Sequence, residues 1–116
     1  MNIQILGTNK SNDTRKAIRF FKERGISFHF RNVEEKGPSR GELENVSRSI
    51  DLQTLIDTDS VLYKKKGYQY MDFDVVEELM ENPTLLKIPV VRNGRIATVG
   101  HVPDIWKQWI DSESNG

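Results

Sequence analysis

The chain contains no cysteine. That absence excludes disulfides, thiolate metal ligands and thiol redox chemistry by the chain as it stands. Long apolar runs are missing too, so no transmembrane helix is expected. The first residues, MNIQILG, lack the basic and apolar regions of a signal peptide, which makes the cytoplasm the expected location. Charge of either sign is not in excess: 17 basic and 17 acidic residues give a formal net charge of +0. No global attraction to nucleic acid or to an anionic membrane follows, and neither is expected as a direct partner. Only 2 histidines are present. Without cysteines or clustered acids they form no metal-ligand pattern, so no metal is expected. The glycines match neither a dinucleotide fingerprint nor a phosphate loop.

What remains is the composition of a soluble globular domain. At 116 residues, 36% hydrophobic and 29% charged, the chain suits one domain over residues 1–116 with one core. Asn2–Leu6 reads as a short buried strand. From Asn12 to Arg24 the apolar residues Ala17, Ile18, Phe20 and Phe21 recur at helical spacing, with Lys16, Arg19, Lys22 and Glu23 on the wet side. Gly25 follows as a helix stop. Ile26–Asn32 alternates like a strand, Phe28 and Phe30 opposite Ser27 and His29. Ser39-Arg40-Gly41-Glu42 has capping-box spacing and predicts a helix from Arg40 to about Ser49.

Short helical pieces are expected at Leu52–Ile56 and Ser60–Lys66. Asp72 is expected to cap a helix through Met80, whose apolar side holds Phe73, Val76, Leu79 and Met80; Asn82-Pro83 ends it. Lys87–Arg92 reads as a strand. Asn93-Gly94 marks a hairpin turn, with both residues suited to positive φ. Arg95–Thr98 returns, and Pro103 opens a last helix that buries some of Ile105, Trp106, Trp109 and Ile110. The order is βαβ, then helices, then ββα.

Three stretches carry a family resemblance: "GTNKSNDTRKA" (Gly7–Ala17), "LQTLIDTDSVLYKKKGY" (Leu52–Tyr68) and "NPTLLKIPVVRNGRIATVG" (Asn82–Gly100). They resemble, in turn, the nucleophile loop, the helical insertion and the proline-bearing strand with its hairpin in the arsenate reductase-related family, which includes ArsC, Spx and glutaredoxin-like proteins. The resemblance implies an α/β, thioredoxin-like fold: a small mixed sheet flanked by helices. Read from the residues alone, Pro89 is an edge-strand proline; the resemblance implies instead a cis-proline opposite the nucleophile loop. In that family the nucleophile is a cysteine at the start of the first helix, where unpaired N–H groups and the helix dipole favour an anion. The matching residue here is Ser11, with Asn9, Lys10, Asn12 and Arg15 around it.

Two functional readings follow from the resemblance. The first is a thiol-reductase-type protein whose chemistry is absent or disabled, because a serine hydroxyl without an adjacent base is a poor nucleophile and cannot form a disulfide. Read from the residues alone, Ser11 is a helix N-cap. Arsenate reduction is not expected. The family's oxyanion-holding arginines correspond to Ile88, Asp57 and roughly His101. A serine at position 11 is either a natural loss or an introduced replacement. Were the native residue cysteine, Thr14 would leave it without a resolving neighbour, and an external thiol such as glutathione would be its co-substrate; no other cofactor is expected. The second reading is an Spx-like interaction module that binds a protein partner such as RNA polymerase. Its Cys-x-x-Cys switch would fall on Ser11 and Thr14. The run Lys64-Lys65-Lys66 is either part of such a surface or a solvated helix face.

Overall fold

The computed structural model describes residues 1–115. Strands β1 (Ile3–Gly7), β2 (Phe28–Asn32), β3 (Val90–Asn93) and β4 (Ile96–Val99) form one mixed sheet in the order β2-β1-β3-β4. β1 runs parallel to β2, and β3 is antiparallel to both β1 and β4. Helix α1 (Asn12–Glu23) joins the parallel pair, and α5 (Pro103–Asn115) follows β4. Between β2 and β3 lie α2 (Arg40–Val46), α3 (Val61–Lys66) and α4 (Val75–Glu81), interleaved with single 3-10 turns. The expected βαβ, helical insertion and ββα order is therefore present.

Strand alternation splits the core in two. Ile3, Ile5 and Val91 face α1 and α5, where Ala17, Phe20, Phe21 and Trp106 are buried. Leu6, Val90 and Ala97 face the insertion, packing with Leu43, Val46, Leu55, Leu79 and Leu85. Phe28 and Phe30 do lie on the α1 side but only half-buried. β2 is an edge strand, so neighbours cover them from one flank only.

Several boundaries differ from the sequence expectation for identifiable reasons. α4 is capped by Asp74, which accepts the Glu77 N–H at 3.0 Å, so Asp72 lies outside the helix. That shift buries Val75 and leaves Met80 39% exposed. α2 stops at Val46, where its last turn tightens through Arg48 N–H to Asn45 O and Ser49 N–H to Val46 O. The strand after the insertion begins at Val90 rather than Lys87: Lys87 N–H is taken by Leu55 O at 2.7 Å, and Ile56 bridges Leu86. In the hairpin, Asn93 pairs with Ile96, so the two turn residues are Gly94 and Arg95. Only Gly94 has positive φ (+61°), at the first turn position, where a II′ turn requires it. Asn93 stays in the strand and accepts the Asn2 N–H. In α5, Trp106 is fully buried with its indole N–H bonded to Thr98 Oγ1 at 2.9 Å, while Ile105 points outward at 40% exposure.

Candidate functional site

The loop between β1 and α1 is built from the backbone outward. Ser11 N–H donates to Thr8 O at 3.2 Å, closing a turn. Ser11 itself is extended (φ −82°, ψ 124°), and its Oγ accepts the Thr14 N–H at 3.1 Å. The hydroxyl thus occupies one of the free N–H groups at the positive end of a 12-residue helix. The N-cap expectation for Ser11 is met.

Thr14 fixes the loop from below. It is fully buried, and its side chain rests against β1. A Cβ on Gly7 would stand 2.6 Å from Thr14 Cγ2, so glycine is required for this close approach. Thr14 Oγ1 has no hydrogen-bond partner.

The surrounding site residues part company. Arg15 folds back over the loop, donating to Asn9 O at 2.7 Å and to Asn12 Oδ1. Asn9, Asn12 and Arg15 therefore form one clasp around Ser11. Lys10 points away: it is 85% exposed and pairs with Glu34 at 3.6 Å. Pro89 is buried and follows a cis peptide bond from Ile88. It lies at the same end of the sheet as the Ser11 loop, because Leu6, which leads into that loop, pairs with Val90. Its carbonyl accepts the Gly100 N–H at 2.8 Å.

Ile88 lines a cleft of about 120 Å3 with Thr8, Val33, Glu34, Pro83, Thr84 and Leu86. Asp57 uses its carboxylate locally, accepting the Asp59 N–H at 3.0 Å. His101 is exposed, its ring 5.7 Å edge-on from Trp106. None of these three positions supplies a guanidinium. Among the described residues no group of three or more His, Asp or Glu is placed to hold a metal ion, and no helix is long and apolar enough to cross a membrane.

The sequence model of the ArsC family matches residues 6–109. This chain belongs to the ArsC family. The global transcriptional regulator Spx 2 of Oceanobacillus iheyensis is 29% identical to it over 115 residues, covering 95% of this chain and 84% of that protein. The uncharacterized protein YusI of Bacillus subtilis is 26% identical over 106 residues, covering 85% and 90%. Among solved structures, an arsenate reductase from Vibrio cholerae superposes with a TM-score of 0.81 at 19% identity, covering 93% of this chain and 97% of that one. The shared fold is thioredoxin-like, as expected.

One cluster in this ArsC-family chain escaped the sequence reading. On the insertion side of the sheet, Glu42 of α2 receives Arg31 Nη1 at 2.8 Å and Nη2 at 2.5 Å. It also accepts the Ser39 N–H at 2.9 Å, completing the expected capping box. Arg92 Nη1 lies 3.5 Å from the same carboxylate. It donates to Gln4 Oε1 at 2.5 Å, and Nη2 donates to Asn45 Oδ1 at 3.1 Å. Burial works to raise the Glu42 pKa, but the hydrogen bonds from Arg31 and the Ser39 N–H, with the Arg31 charge, outweigh it and hold the carboxyl down at about 2. The available signal was phase: Gln4 and Arg92 sit one residue from Ile3, Ile5 and Val91 in inner strands, where an apolar residue is the rule on a covered face.

A second buried polar group lies in the insertion. Tyr68 donates its hydroxyl to Glu78 at 2.7 Å. Burial, then that bond, pushes its phenol up to about 12.

Proposed function

We propose that this ArsC-family chain is redox-inert, with a thiol-reductase-type site in which Ser11 stands at the nucleophile position and serves as a helix cap. The supporting observation is the Thr14 N–H to Ser11 Oγ bond at 3.1 Å. It sits where a thiolate would draw on the same N–H group and the same helix dipole. Among the described residues no side chain is bonded to the hydroxyl as a base: Lys10 turns to Glu34, and the Arg15 guanidinium is engaged by Asn9 and Asn12. Thr14 gives no resolving thiol and lies packed on Gly7. Arsenate reduction is outside this reading, since Ile88, Asp57 and His101 offer no arginine to an oxyanion.

The test is a comparison of the wild-type chain with Ser11→Cys. The cysteine variant is expected to alkylate with an apparent thiol pKa below the ordinary value of about 8.5 and to show weak thiol–disulfide exchange with glutathione. The wild type is expected to show none. Arsenate turnover with glutathione and glutaredoxin by either protein would overturn the reading.

A second reading is favoured by the 29% identity to Spx 2 along 95% of the chain: a module that binds a protein partner, RNA polymerase being the first to try. Under it, binding of purified RNA polymerase should be measurable and unaffected by Ser11→Ala. Absence of binding at micromolar protein would discard it.

A further inference from the structure

We propose that the hairpin end of the sheet carries an oxyanion-binding site, built on Arg92 and His29, that takes a phosphate group. It is separate from the Ser11 loop: β1 enters it at Asn2, at the opposite end of the strand from Gly7.

Three adjacent strands place its core. Gln4 pairs with His29 across the parallel ladder and with Arg92 across the antiparallel one, so the three residues form a row on the insertion face. With Asn2 and Gly94 they line a cavity of about 210 Å3. The lining is one guanidinium, one imidazole, two carboxamides and a glycine. No carboxylate lines it.

The charge count behind the cavity is unequal. Arg31 engages Glu42 with both outer nitrogens, a one-to-one bidentate pair. Arg92 stands off at 3.5 Å. Its shorter bonds go to the neutral oxygens of Gln4 and Asn45, which orient the guanidinium without cancelling its charge. Its Nε is buried and, like that of Arg31, has no acceptor among the described residues. The cluster therefore holds two guanidiniums against one carboxylate, with the Arg92 side chain only 19% exposed. A partly desolvated cation held by neutral acceptors is costly, and an anion entering the cavity offsets that cost. His29 is exposed on the neighbouring edge strand and makes no ion pair among the described residues. Its imidazole adds a ring nitrogen on the far side of Gln4. Gln4 turns its Nε2 to Glu42 Oε2 at 3.4 Å, so Arg92, His29 and the Asn2 carboxamide are the lining groups left to face a ligand; coming from different sides, they suit a tetrahedral group better than a planar carboxylate.

The experiment follows the backbone amide resonances of Gln4 and Gly94 at constant ionic strength while inorganic phosphate, glycerol 3-phosphate or acetate is added. Saturable shifts with phosphate are expected, weakened about tenfold in Arg92→Lys, which loses the fork for a single charged donor. His29→Gln, at an exposed position, should weaken binding severalfold in a protein that folds normally. Lys64→Gln should leave it unchanged. Tighter binding of glycerol 3-phosphate would identify a phosphate monoester as the ligand, and equal binding the free ion; both support the site. Non-saturating shifts, equal shifts with acetate, or affinities unchanged in both Arg92→Lys and His29→Gln would overturn it.

Discussion

On the face of the sheet covered by α1 and α5, three rings meet edge-on or tilted: Phe20 with Phe21 at 5.0 Å, and each with Trp106 at 5.2 and 5.5 Å. On the opposite face, mostly aliphatic side chains from several short pieces, with the rings of Tyr63, Tyr68 and Phe73 among them, share the side with an ionic knot of Glu42, Arg31 and Arg92. The first face comes from two long helices that each present a continuous apolar stripe. The second is assembled from segments of three to seven residues, too short to hold their shape without tertiary partners. Its polar knot ties α2 to three strands and so orients what the short helices alone leave loose. Area holds one face; directional bonds help to place the other.

The sharpest way to break this contrast is to empty the aromatic side. Phe21→Ala should cost about 3–5 kcal/mol, read as a lowered urea midpoint, because Phe21 is fully buried and nothing fills the space its ring leaves. A loss under about 1 kcal/mol would mean the aromatic face is not the main store of apolar stability.

The ionic side should answer to pH. A carboxyl held at about 2 against an ordinary 4.5 favours the fold once it is ionised. Its contribution, roughly 3 kcal/mol at most, is fully present above pH 4.5. It is lost as pH falls from about 4.5 towards 2. Glu42→Gln should therefore be destabilised at neutral pH, with Arg31 and Arg92 left facing each other, and should show a flatter acid limb across that window. Parallel acid limbs for variant and wild type would assign the acid sensitivity to other carboxylates.

The smallest effect belongs to the Ser11 loop. Ser11→Ala should cost about 1 kcal/mol, the usual value of a lost N-cap, visible as a thermal shift of a few degrees. A neutral substitution would show that the Thr14 N–H finds water as readily as the serine.

Much of the site was legible because it is local. Ser11 as a cap, the capping box at Ser39–Glu42 and the stop after α1 each depend on neighbours three or four residues away. The setting of the turn by Gly94 was half legible. Glycine marked the turn, but pairing of Asn93 with Ile96, a property of the strands, moved the turn one residue on. Asp72 and Asp74 are both good caps; burial of Val75 against the insertion chose between them.

The order of elements, the two apolar stripes of α1 and α5, and the absence of any thiol at the family's nucleophile position can be read from the residues without a structure. Those follow from side-chain periodicity, local capping and composition, which need no long-range contact. Long-range packing sends Lys10 away from the loop while Arg15 clasps it, seals Thr14 against Gly7, and puts Gln4, His29, Arg31, Glu42 and Arg92 on one side of the sheet. Those residues are up to 88 positions apart, and only strand register brings them together, by choosing which alternate side chains face which helix.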